Sequence, residues 1–146
     1  MRSRRIYQDR NLKTFAVIFE KGDEVRRGLL EFASANRLAD SQLSAIGAFS
    51  EVTLGYFERN EKIYKEIPIS EQVEVLALTG NIVRGEGKPK LHAHVVVGKS
   101  DGRAYGGHLL AGKVWPTLEM VVTELPVHLR RRIDNETGLA FIELAA

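Results

Sequence analysis

Three of the four histidines in this 146-residue chain stand in one stretch, LHAHVVVGKSDGRAYGGHLLAG, from Leu91 to Gly112. Neutral imidazoles are ligands for divalent transition metals, and three of them with one open position make a catalytic-type zinc set. The spacing bears on whether these could converge. LHAHVVVG reads as a strand, so His92 and His94 share one face and lie about 6–7 Å apart at Cα. Leu91, Ala93, Val95 and Val97 then form the opposite, wholly apolar face, which must be the core side. KSDG is a turn, with Asp101 before a glycine, and it folds AYGGH back beside LHAH. Gly106 and Gly107 are read as permitting the positive φ that aims His108. Glu119, in TLEM on the following strand, is the candidate for an additional ligand or an orienting partner of a ligand imidazole. The bland alternative is a pair of histidines on a polar face with a third capping a loop. Spacing alone leaves both readings open. His128, in LPVHLRRR, has no partner by spacing and reads as ordinary surface.

The elements that would carry this stretch are mostly strands. TFAVIFE (14–20) is rich in β-branched and aromatic residues. Asp23 is placed to cap a helix from about 24 to 36, whose stripe is Val25, Leu29, Phe32 and Ala33. SQLSAIGAFS and EVTLGYF read as two strands meeting at a bend near 47–51. KIYKEIPI alternates, and VEVLALTGNIV (73–83) is a long strand in which Gly80 suggests a bulge. GEGKP (85–89) is a loop, PTLEMVVTEL a strand, and the apolar tail of RRIDNETGLAFIEL is placed to close the sheet edge. The sum is an α+β domain: a mostly antiparallel sheet of roughly six to eight strands with one amphipathic helix packed on it.

Composition narrows the function classes. There is no cysteine, which excludes disulfides, thiolate metal sites and cysteine nucleophiles and fits a cytoplasmic protein. No apolar run approaches the roughly 18 residues needed to span a bilayer, and MRSRRIYQDR has no apolar core of a secretory signal. GGHLLAG lacks the Lys-Ser/Thr of a phosphate loop, and no GxSxG elbow is present. The net charge of +2 is uneven. Arg2, Arg4 and Arg5 lie in a basic extension, residues 1–11, and Arg130, Arg131 and Arg132 form a second cluster, so the remainder is mildly acidic. These six arginines are the candidates for weak DNA association, which would be salt-dependent and unspecific. Solvated surface arginines are the simpler reading of both clusters.

The stretch LHAHVVVG followed by DGRAYGGHLLAGKVWPTLEMVV resembles the plants-and-prokaryotes conserved domain, PPC or PCC. The pattern of that family is present in His92 and His94, Asp101-Gly102, Gly106-Gly107-His108-Leu109, Gly112, Val114, Pro116-Thr117 and Glu119. VEVLALTGNI resembles the family's strand that runs into a Thr-Gly-x-Ile turn. The resemblance covers nearly the whole chain and assigns 12–146 to a single domain. It implies an antiparallel α+β fold, a homotrimer, and a frequent label as a DNA-binding protein. It also implies that His92, His94 and His108 are the ligands of a divalent transition metal, zinc first, in a free-standing protein of bacterial or archaeal type. The metal would open a route to hydrolytic chemistry, for which no substrate pocket is visible in the sequence. The chain departs from the plant members. It has no Arg-Gly-Arg-Pro hook, and Glu71-Gln72-Val73-Glu74-Val75-Leu76 replaces their Gly-Arg-Phe-Glu-Ile-Leu. Minor-groove reading by an inserted arginine is therefore unsupported. Phe49, Tyr56, Phe57 and Trp115 are the aromatic candidates for subunit contacts.

Overall fold

A computed structural model of the chain describes residues 1–85, 87–126 and 129–143. Its main element is a seven-stranded sheet in which every pairing is antiparallel. In chain order the strands are β1 (Arg2–Asp9), β2 (Leu12–Glu20), β3 (Asp40–Glu58), β4 (Ile63–Ile69), β5 (Val73–Gly85), β6 (Lys88–Gly98) and β7 (Ala104–Glu124). The sheet runs β1-β2-β7-β6-β5-β3-β4, and β7 pairs with β3 as well. β3, β5, β6 and β7 thus form a closed circuit of hydrogen-bonded neighbours, which removes the edges of the central strands.

The one helix among the described residues, α1 (Val25–Ala35), buries Val25, Leu29, Phe32 and Ala33, the stripe read from the sequence. Its cap is Glu24 and not Asp23. The Glu24 carboxylate accepts from Arg26 N at 3.1 Å and Arg27 N at 2.7 Å. Asp23 instead accepts from Glu20 N at 2.8 Å, closing the turn that precedes the helix. Beneath the helix the core gathers Phe15, Phe19, Phe49, Leu54, Leu109 and Leu118, among others. Each such side chain contributes about 1.5–3 kcal/mol by burial. Phe49 belongs to this core and is not a contact aromatic. Tyr56 is exposed, Phe57 stacks edge-on with Tyr64, and the Lys21 ammonium sits 3.9 Å from the Trp115 ring centre.

Several boundaries differ from expectation for local reasons. The bend near 47–51 lies inside one continuous strand, β3, where two register shifts against β7, between Gly47 and Phe49 and between Phe49 and Glu51, absorb the turn. Gly80 is no bulge: it pairs regularly with Leu43 and Ala93, and the shift in β5 falls between Val75 and Ala77. A Cβ on Gly80 would lie 2.3 Å from the His92 carbonyl oxygen, so a close approach of β5 and β6 requires glycine. The tail does not close the sheet. Residues 130–133 and 140–143 form a separate hairpin, β8 (Arg130–Ile133) and β9 (Ala140–Glu143), which lies against β5. Residues 2–9, set apart as a basic extension, pair with β2 as the outer strand β1.

One buried carboxylate ties the start of β3 to the end of β7. Glu124, 5% exposed, accepts from Ala39 N at 2.8 Å and from the Ser41 hydroxyl at 2.5 Å. The cap offers the cleaner test of local structure. Glu24→Ala leaves the Arg26 and Arg27 amides without their acceptor, and the Gly112 amide, which reaches Glu24 at 3.3 Å, loses one too. A loss of about 1–2 kcal/mol is expected, read as a lower urea midpoint. Asp23→Asn should move that midpoint less, and an equal shift for both would refute the capping assignment.

Candidate metal centre

The pairing of β6 with β7 brings the three histidines together. His94 stands opposite His108, Val95 opposite Gly107 and Val97 opposite Tyr105. Because His92 and His94 share a face and His94 directly opposes His108, all three rings rise from one side of the sheet. On the other side Leu91, Ala93, Val95 and Val97 are buried, as their alternation demands. Neither Gly106 nor Gly107 has a positive φ. Gly107 serves the site differently: a Cβ there would lie 2.8 Å from the Gly55 carbonyl oxygen. The glycine lets β7 press against β3, where His108 faces Gly55.

The Nε2 atoms of His92 and His94 are 3.2 Å apart. Two ligands at Zn–N of about 2.0–2.1 Å in tetrahedral geometry stand roughly 3.3 Å apart, so this pair is spaced for one ion. A ligand nitrogen of His108 completes the set, with all three within 4.8 Å of one another. A ring shift on the order of an ångström would close them on a common centre. The His92 and His108 rings stack at 5.2 Å, and Tyr64 of β4 covers the far face of His108 at 4.7 Å. The Nδ1 atom of His108 is shielded from solvent and has no hydrogen-bond partner among the described residues. A buried nitrogen left in this condition is costly unless something satisfies it, and a cation does so for a lone pair.

The electrostatics favour the neutral form of His92 and His108, as metal ligation needs. Burial, then the neighbouring His92, His94 and Arg26, push the His108 imidazole down to about 4. His92 is lowered for the same first reason, with Arg131 and His94 adding to it. Tyr64 is raised by burial and keeps its proton at neutral pH.

Arg131 is the site residue that its sequence context concealed. It reads as one of three solvated arginines, yet it turns inward from β8. Its guanidinium donates to the Asn81 Oδ1 and to the Ala140 carbonyl, both at 2.5 Å. Asn81 is the β5 partner of His92. Tyr64 and Asn81 also went unnoticed, because nothing in the spacing of an alternating strand marks which residue will lie across from a histidine. The remaining candidates do not gather at the site. Glu119 is exposed on the histidine face of the sheet but opposite Ile46, so β5 and β3 lie between it and the cluster. It is neither a ligand nor an orienting partner within its own chain. Arg2 pairs with Glu20 at 2.7 Å and Arg132 with Glu143 at 3.2 Å, while Arg4, Arg5 and Arg130 are exposed. His128 lies outside the described residues.

Residues 7–126 match the Plants and Prokaryotes Conserved (PCC) domain. The chain belongs to this family. Among solved PCC-like structures, the plant- and prokaryote-conserved protein of Pyrococcus horikoshii is 28% identical, with 91% of this chain and 93% of that one covered at a TM-score of 0.84. A protein of Archaeoglobus fulgidus described as metal-containing is 33% identical, with coverage of 90% and 94% and a TM-score of 0.84. A protein of Bacteroides thetaiotaomicron whose name proposes DNA binding is 28% identical, with 94% of each chain covered and a TM-score of 0.84. A curated relative, the bifunctional protein GlmU of Synechococcus sp. (strain JA-3-3Ab), is 31% identical over 137 residues. The chain spans 92% of itself but only 20% of that protein.

The depressed His108 gives a pH signature for the metal-free protein. With the native value near 4 and the ordinary one at 6.5, the unfolded PCC chain binds more protons between the two. Stability is then fully present above about pH 6.5 and lost as pH falls toward 4. For a half-exposed ring the loss is on the order of 1–2 kcal/mol. The urea midpoint of chelator-treated wild type should fall more between pH 7 and pH 4.5 than that of His108→Asn, which has no imidazole to protonate. Parallel pH curves would show that His108 carries no such linkage.

Proposed function

We propose that this PCC-domain protein is a homotrimeric metal protein in which His92, His94 and His108 hold one divalent transition ion. The observation that carries the reading is the convergence of three imidazoles with ligand nitrogens within 4.8 Å of one another, those of His92 and His94 being 3.2 Å apart. The all-nitrogen donor set favours zinc, with iron, nickel and manganese as alternatives. The metal-containing relative from Archaeoglobus fulgidus, similar over nearly the whole chain, adds support. Bound there, zinc would supply a Lewis acid and a water of lowered pKa, the elements of metal-assisted hydrolysis. The protein's own contribution would be to fix the ligands from two adjacent strands and to cover one ring with Tyr64. Metal analysis of the purified, untagged protein by mass spectrometry should find near one equivalent per chain. The His92→Ala/His94→Ala variant should carry less than a tenth of that. A wild type that emerges metal-free and resists loading with zinc would overturn the reading.

The trimer is supported by an exposed apolar sheet face. Ile46 is 62% exposed, Leu76 53% and Val121 45%, and with Ile18 they line one depression. Patches of this kind on soluble domains mark interfaces. Glu119 stands at its side, where a second copy of the chain would meet it. Sedimentation should give three times the chain mass for wild type and a smaller species for Leu76→Asp. A monomeric wild type at micromolar concentration would remove the trimer from the proposal.

DNA association, suggested by the names of two relatives, has weaker support. Of the six arginines, Arg2, Arg131 and Arg132 are already engaged within the fold. Among the described residues no helix is long and apolar enough to cross a membrane. A cytoplasmic location fits the cysteine-free composition.

A further inference from the structure

Beside the histidine cluster lies a cavity of about 190 Å³, walled by Tyr64, Lys90, His92, His108, Arg131 and Phe141. That is room for about six waters at their liquid volume, or for a molecule of comparable size. Among the described residues no carboxylate lines it. Imidazole, aromatic and cationic side chains line it together with Leu91, Leu139 and Ala140.

Arg131 is the unusual member. It is half-buried, and burial works against its charge. A guanidinium taken out of water is ordinarily met by a carboxylate or phosphate. Here both partners, the Asn81 amide oxygen and the Ala140 carbonyl, are neutral, and its Nε is buried with no partner among the described residues. Those two bonds fix the plane of the guanidinium and leave the Nε–H uncommitted. The arginine is thus held in a set orientation with an unanswered charge. A divalent ion at the three histidines would sharpen the imbalance, since it and the guanidinium share one cavity and repel unless an anion sits between them. Lys90, on the same face of β6 as His92 and His94, lines the cavity as well.

We propose that this cavity takes a small molecule bearing an oxyanion, a carboxylate or a phosphate group, which pairs with Arg131 while the rest of the molecule reaches the three histidines. The proposal rests on the metal reading for what meets the ligand at the histidines, but not for the ion pair with Arg131. Phe141 and Tyr64 restrict the remainder of the ligand to something thin or flat.

The test uses calorimetric titration of the zinc-loaded and the chelator-treated protein with inorganic phosphate and, separately, with glycolate. Zinc content is measured on every sample. Zinc-loaded wild type should bind at least one of the two anions, and the preferred one tells phosphate from carboxylate. Arg131→Met should weaken that binding at least tenfold with zinc content unchanged. In parallel, the Arg131 Nε resonance of ¹⁵N-labelled wild type should shift on adding the preferred anion, a readout that does not depend on how well the variant folds. Loaded wild type that binds neither anion, or an Nε resonance that stays in place at saturation, overturns the proposal while leaving the metal reading intact. If the protein takes up no zinc but still binds an anion through Arg131, the metal reading fails and the oxyanion site stands.

Discussion

The register between β6 and β7 is the constraint on which the site depends. His94 opposes His108 only in this alignment, and a slip of one residue would turn His108 toward the core and expose Leu109. The alignment is held from both sides. On the core face Leu91, Ala93, Val95 and Val97 cannot move outward without surrendering several kcal/mol of burial. Two glycines hold the backbones at distances no side chain would allow: Gly80 against the carbonyl of His92, and Gly107 against that of Gly55. These contacts lie within one residue of a histidine or directly on one. The packing that fixes the fold therefore also fixes the ligand geometry.

The closed circuit of β3, β5, β6 and β7 gives this geometry its stiffness. An open sheet could flex about its edge and alter the distance between neighbouring strands' side chains. Here each strand that carries a histidine is bonded on both flanks, β6 by β5 and β7, and β7 by β6 and β3. A rigid scaffold permits ligand atoms to be preorganised, which is what makes a weakly flexible trio of imidazoles a better site than the same residues on a loop.

Much of this was legible in the sequence because strand alternation is a strong signal. LHAHVVVG places two histidines opposite an apolar face with little ambiguity, and the single KSDG turn returns the chain beside it. The helix stripe was equally plain. What escaped were matters of position across strands. The bulge in β5 falls at Val75–Ala77 because β3 bends there, and nothing local to Gly80 could distinguish a bulge from a close approach. The cap passed from Asp23 to Glu24 because the longer side chain reaches both the first-turn amides and Gly112. Glu119 is close to His108 in sequence, but a strand of 21 residues carries it to the far half of the sheet. Arg131 was concealed by its neighbours, since three consecutive arginines give no hint that the middle one, by alternation, faces inward.

The C-terminal hairpin has its own significance. It builds part of the site's walls from outside the seven-stranded sheet, and the family match ends at residue 126, before the hairpin begins. Replacement or lengthening of such an appendage would leave the core, the closure and the histidines undisturbed. Lineages carrying this domain could then diversify what they accept without rebuilding how they hold an ion. Selectivity would be inherited separately from the scaffold, on a segment free to vary at little cost to folding.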